Sequence, residues 1–201
     1  RQIHDYFRGL EYLINYWFYE KPYGLDFSLR DLSQIQNSQQ HGYAMTSDKA
    51  IKNIAQKIDF TDKLFLDIGS GKGRVLHQAF KLGAYRCEGI EFSKKLNKIA
   101  EKNFDILNLN EACKSNCIDA AEFDRYYEFD IFFLFNPFED HLYEKVIDTL
   151  MSQCSFHKKQ RSIICYGGAN LDSIDKYTRA RHTYKGICPH RYNSVNIFTI
   201  D

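Results

Sequence analysis

The chain has 201 residues, a net charge of +1 and 15% aromatic residues. That length suffices for one domain with a sizeable core, and so balanced a charge builds no global field toward nucleic acid or a membrane surface. No uninterrupted apolar run is long enough to span a bilayer, and no signal-peptide pattern is visible.

Six cysteines, Cys87, Cys113, Cys117, Cys154, Cys165 and Cys188, form no CxxC pair. Free thiols in a reducing cytoplasm are therefore expected, and a metal site is not.

Taken in order, Ile3, Tyr6, Phe7, Leu10, Leu13, Ile14 and Trp17 recur at three- and four-residue spacing and predict a helix over 2–20. Pro22 and Gly24 end it. Packing on the domain and lining a substrate pocket are both open to this helix, because Tyr12, Tyr16, Tyr19 and Tyr23 carry flat amphipathic faces. Residues 25–47 are polar and irregular. A long irregular segment in a compact domain is more often functional than idle, and this one precedes the first strand, where it would fold over a ligand. A helix over 47–58 follows, with Ser47 or Thr46 as N-cap. Residues 1–60 are thus expected to form a helical cap segment on a core of 61–201, within a single domain.

From residue 64 strands and helices alternate. Strand 64–68, helix 73–82, strand 86–90, helix 93–108 and a weaker strand near 113–117 come first. Phe129–Phe135, apolar but for Asp130, has the pattern of a central strand buried on both faces. Helix 139–154 carries Glu139 and Asp140 where they favour the helix dipole. Strand 162–166 is closed by Gly167-Gly168, and a short helix covers 171–178. Two further strand-like runs, 181–185 and 194–200, have no helix between them and predict an antiparallel hairpin at one edge. The sum is an α/β fold with a doubly wound, mostly parallel, seven-stranded sheet and an N-terminal helical extension.

Function concentrates in Asp67-Ile68-Gly69-Ser70-Gly71-Lys72-Gly73-Arg74. A strand, a tight glycine turn and a helix bring backbone N–H groups to a small ligand. A phosphate-binding P-loop needs GK[ST], and Lys72 is followed by Gly73. A dinucleotide site wants GxGxxG, and here the third glycine arrives one residue early. The acid Asp67 would repel a pyrophosphate and suits an ammonium. Glu91, 24 residues after Asp67, is placed to accept both hydroxyls of a ribose. Asp119, just past the third strand, is placed to accept from an adenine amino group. Three acids at successive strand ends outline one ligand: amino acid, ribose, adenine.

DIGSGKGRV, then Gly89-Ile90-Glu91, then Asp119-Ala120 resembles the class I S-adenosylmethionine-dependent methyltransferases, over about residues 40–168. The resemblance is nearest to small, uncharacterised bacterial members with YGxD, HG before a Thr, DLGSGKGR, GxE and FNPF. This chain carries Tyr23-Gly24-Leu25-Asp26, His41-Gly42, Thr46, Gly89-Ile90-Glu91 and Phe135-Asn136-Pro137-Phe138. The glycine motif with its helix also resembles, more weakly, the non-SET histone lysine methyltransferases. The resemblance implies a Rossmann-like fold and S-adenosylmethionine as cofactor. Asp67, Gly69, Ser70, Gly71 and Gly73 would hold its methionine portion, Glu91 its ribose, Asp119 and Ala120 its adenine, with Thr46 and Asn136 joining the cofactor set.

The transfer itself is expected at Asn136, Pro137 and Phe138, with Tyr43 beside them. In amino-methylating relatives the corresponding motif holds a second proline, so methylation of a nucleic-acid base is not favoured. His41, Tyr43 and His141 are the candidate bases. Lys72 and Arg74 are expected in solvent. The basic tail residues Lys176, Arg179, Arg181, His182, Lys185, His190 and Arg191 read as edge-strand charges or as a surface for an anionic substrate. The acceptor stays open between a protein side chain, a small molecule and a glycan. A catalytically inactive cofactor-binding module and a nucleic-acid N-methyltransferase are the competing readings; the glycine spacing argues against a nicotinamide-dependent reductase.

Overall fold

A computed structural model describes residues 10, 12–29, 45–135, 139–188 and 193–201. Seven strands form one sheet: β1 Leu64–Ile68, β2 Arg86–Ile90, β3 Cys113–Asn116, β4 Ile131–Phe135, β5 Arg161–Tyr166, β6 Ala180–Ile187 and β7 Ser194–Ile200. Their order is β3-β2-β1-β4-β5-β7-β6. The first five are parallel neighbours, and β7 runs antiparallel between β5 and β6. The expected doubly wound sheet with its antiparallel C-terminal pair is therefore present.

The helices are α1 Asp48–Ala55, α2 Arg74–Lys81, α3 Lys94–Ile106, α4 Asp140–Ser155 and α5 Asp172–Asp175. Strand alternation sorts the core into two layers. On one face Phe65, Ile131, Phe133 and Ile164 pack against Ile51 and Ile54 of α1, Val75 and Leu76 of α2, and Phe104 of α3. On the other, Leu66, Phe132, Leu134 and Ile163 pack against Tyr143, Val146, Ile147 and Leu150, which recur along one face of α4. β4 is buried from both sides, as its unbroken apolar run requires. Caps set the helix starts: Ser47 Oγ accepts from Ala50 N–H at 3.2 Å, and Ser93 Oγ from Leu96 N–H at 3.3 Å.

Three expected elements differ. Phe129 lies outside its strand, because Tyr126–Glu128 form a turn of 3₁₀-helix that delivers the chain to β4 only at Ile131. The helix expected over 171–178 is confined to Asp172–Asp175, since Lys176 and Tyr177 turn aside to reach Asp148 on α4 at 2.7 Å each. The described part of the N-terminal helix ends in a π-helical turn, Asn15–Glu20, then a 3₁₀ turn, Lys21–Tyr23, closed by Gly24 in the left-handed conformation at φ 77°.

This topology has one functional consequence. From β1 the chain moves one way to β2 and β3 and then crosses to β4 and β5. The crevice beyond the carboxyl ends of β1 and β4 is the switch point at which open α/β sheets bind ligands.

Candidate active site

The glycine turn leaves β1 at Ile68 and enters α2 at Arg74. Gly69 and Ser70 donate their N–H groups to the Ile90 carbonyl at 2.9 and 3.0 Å, which fastens the turn to the end of β2. Gly73 caps α2 at φ 81°, and a Cβ there would lie 2.4 Å from Phe104 Cζ. Glycine at this position therefore serves the backbone conformation and the close approach of α3 together.

Asp67 and Glu91 flank this turn. Asp67 is buried on β1, in register with Gly89 of β2 and Phe133 of β4. Burial, and next the charge of Glu91, push its carboxyl well above the usual range. Among the described residues none donates a hydrogen bond to it. Glu91 follows β2. Its Oε2 accepts from Gly71 N–H and its Oε1 from Ser93 N–H, both at 2.8 Å. Burial raises its pKa, and these two backbone donors pull against that shift. Each carboxylate oxygen retains a lone pair after one backbone bond, so the group ties down the glycine turn and can still accept from a diol. The two buried acids oppose each other's ionisation at one turn, a conflict that a cationic ligand would relieve.

Asp119 stands past β3 and caps the 3₁₀ turn Ala120–Glu122, with Oδ1 accepting from Ala121 N–H at 2.8 Å. Ala120 is buried, and its carbonyl accepts from Tyr126 O–H at 2.7 Å. Thr46 is buried just before the cap of α1. Ser70 is buried, and its Oγ makes no hydrogen bond. Of the expected bases, His141 sits exposed at the start of α4, its Nδ1 3.9 Å from Glu139. His41, Tyr43, Asn136, Pro137 and Phe138 lie outside the described residues.

Lys72 and Arg74 are not in solvent. Lys72 Nζ is buried against Asp26 Oδ1 at 2.7 Å and the Leu29 carbonyl at 2.9 Å. Arg74 reaches Glu20 Oε1 at 2.9 Å and Asp48 Oδ1 at 2.8 Å. Glu20 is itself buried and accepts from the N–H groups of Phe27 and Ser28 at 2.8 Å each. Asn103 of α3 accepts from Asp26 N–H and donates to the Lys72 carbonyl. The two cations of the glycine motif thus strap residues 20–29 onto the turn. Asp26 of the Tyr23-Gly24-Leu25-Asp26 motif was the available signal, although no spacing rule connects it to Lys72.

One exposed aromatic also belongs to this edge. Phe92, next to Glu91, is 60% exposed. Sequence reasoning did not single it out, because a lone Phe after a strand carries no periodicity. Of the described tail charges, Lys176 pairs with Glu144 and Asp148 and Arg181 with Asp201; His190 and Arg191 lie outside the described residues. All six cysteines carry free thiols, Cys117 alone being exposed.

The family described as histone methylation protein DOT1 matches residues 26–132, just over half of the chain. Solved structures share the fold. An RNA methyltransferase from Salinibacter ruber in complex with S-adenosyl-L-homocysteine has a TM-score of 0.63 and 20% identity, over 78% of this chain and 94% of that one. The magnesium protoporphyrin IX methyltransferase of Synechocystis with bound S-adenosylmethionine has a TM-score of 0.61 and 15% identity, over 77% of each chain. The ribosomal protein L11 methylase of Lactobacillus delbrueckii subsp. bulgaricus has a TM-score of 0.59 and 17% identity, over 81% of each. No protein of curated function matches the sequence.

Proposed function

The chain belongs to the family of the histone methylation protein DOT1, and from that premise we propose how its residues bind the methyl donor and present it to an acceptor. The enzyme is an S-adenosylmethionine-dependent methyltransferase. S-adenosylmethionine supplies a methyl group on a sulfonium, which an acceptor's lone pair displaces in line while the C–S electron pair returns to sulfur.

The observation that carries this reading is the pair Asp67 and Glu91. Two buried acids flank one glycine turn, and both are held above their ordinary pKa. Asp67 pairs with the ammonium of the methionine portion, which lies against the turn of Gly69, Ser70, Gly71 and Gly73. Glu91 accepts from the ribose hydroxyls through the lone pairs its backbone bonds leave. Asp119 and Ala120 meet the adenine, with Phe92 beside it. Asn136, Pro137, Phe138 and Tyr43 orient the acceptor, and Thr46 and Asn136 also contact the donor. Residues 1–60 act as the cap over this site, fastened by Lys72 and Arg74. No helix among the described residues is long and apolar enough to cross a membrane, and free thiols fit a reducing compartment, so we place the enzyme in the cytoplasm.

Isothermal titration of the full chain with S-adenosylmethionine and S-adenosylhomocysteine tests the donor site. Saturable one-to-one binding of both is expected, and folded protein that binds neither overturns the reading. Transfer of a labelled methyl group to a component of cell extract is expected next. Binding without any transfer would favour an inactive cofactor-binding module.

A further inference from the structure

At the carboxyl end of β5 the chain turns through Gly167-Gly168, and a cavity of about 320 Å³ opens between this turn and the β6–β7 hairpin. β5 and β6 end at this edge of the sheet and β7 begins there, so the cavity shares the edge with the glycine turn. Its turn is pinned: Gly167 N–H donates to the Ser194 carbonyl at 2.9 Å, and the Ser194 hydroxyl donates to the Gly167 carbonyl. Leu171 and Ile187 give it apolar walls. A Cβ on Gly168 would meet nothing within 4 Å, so open space reaches the backbone there.

Besides Ser194, two polar side chains interrupt the apolar lining. Asn196 is 3% exposed, and its Oδ1 is buried with no hydrogen-bond partner. Lys185 is its register partner on β6, so both project from the same face of the sheet. Lys185 is exposed and pairs with no carboxylate among the described residues. A buried amide oxygen with nothing to accept from is costly in a fold that satisfies almost all such groups. Beside an unpaired ammonium and an apolar cleft, it has the form of a site that a ligand completes.

We propose that this cavity binds a small organic acid that carries an O–H or N–H donor. The donor goes to Asn196 Oδ1, the carboxylate to Lys185, and the apolar body lies against Leu171 and Ile187. The volume suits roughly ten non-hydrogen atoms at ~30 Å³ each. The proposal rests on the cavity alone and stands apart from the methyltransferase reading.

Three probes separate the interactions: 4-hydroxyphenylacetate carries both groups, phenylacetate lacks the hydroxyl, and 4-hydroxyphenethyl alcohol lacks the carboxylate. Each is titrated into the full chain saturated with S-adenosylhomocysteine, following the backbone amide signals of Gly167, Gly168 and Ser194. The complete probe is expected to bind at least about tenfold more tightly than either analogue. Asn196→Leu should abolish its advantage over phenylacetate, and Lys185→Ala its advantage over the alcohol, with S-adenosylhomocysteine affinity unchanged in both. Ile187→Trp, made from an exposed wall residue, should fill the cavity and remove all binding if Asn196→Leu fails to fold. Absence of signal changes with all three probes, or equal affinities in wild type and variants, overturns the binding site. Loss of S-adenosylhomocysteine binding with probe discrimination intact overturns the donor reading and leaves the cavity standing.

Discussion

At Asp67, burial and the neighbouring Glu91 both favour the protonated acid. The side chain is therefore a liability to the unliganded fold and an asset once a cation arrives. Asp67→Asn should leave the unliganded protein at least as resistant to urea at pH 8, while S-adenosylhomocysteine binds at least about tenfold more weakly, the loss of a charged hydrogen bond worth roughly 1.5–3 kcal/mol. Paired urea melts and calorimetric titrations read both quantities, and an unchanged affinity would place the ammonium elsewhere. Glu91 should behave differently, because it also accepts from Gly71 and Ser93. Glu91→Ala leaves two buried N–H groups without acceptors, at about 1–3 kcal/mol each. Stability and cofactor affinity should then fall together. A Glu91→Ala protein that melts like wild type would mean that the turn does not depend on these bonds.

Among the elements, the strap of residues 20–29 is the one that sequence patterns did not reveal. Strand and helix periodicity is local, so β1, β2, α2 and α4 were legible to within a residue or two, and the glycine turn announced itself by three glycines at alternate positions. An ion pair is not periodic. Nothing in Lys72-Gly73-Arg74 indicates that Asp26 and Glu20 will fold back over it, and both cations read as surface charge. The same blindness hid Asn196, whose position in β7 looks like any strand asparagine until its neighbours are known. Arg74 is the strap's main fastening, since one guanidinium engages carboxylates from two segments. Arg74→Ala leaves Glu20 buried without its cation, and breaking such a pair costs about 3–5 kcal/mol. Chymotrypsin should then cut after Phe27, which is buried in the wild type, markedly faster than in wild type. Arg74→Lys should restore only part of the protection, because an ammonium lacks the planar fork that holds Glu20 and Asp48 together. Equal cleavage rates in all three proteins would mean that the segment is held by something else.

Over the whole molecule, these buried acids couple cofactor binding to stability and to pH. A carboxyl whose folded pKa lies above its unfolded value of about 4 holds its proton in the native state after the unfolded chain has lost it. Between those two pKa values the native state binds more protons, so the unliganded protein loses stability as pH rises. Asp67 and Glu91 both shift in this direction. A bound ammonium reverses the preference at Asp67, favouring the carboxylate and expelling the proton. The loaded protein then escapes the loss, and the stability gap between loaded and empty forms widens with pH. At a ligand concentration of one hundred times Kd the gap is about 2.7 kcal/mol, or a rise in melting temperature of roughly 5–10 °C for a chain of this size. That rise, measured with S-adenosylhomocysteine at fixed concentration, should grow from pH 6 to pH 8 in wild type and should be nearly flat in Asp67→Asn. Calorimetry in buffers of different ionisation enthalpy should register proton release on binding by wild type alone. A melting shift independent of pH in both proteins would show that Asp67 is already ionised in the empty site, and the coupling would then have to be abandoned.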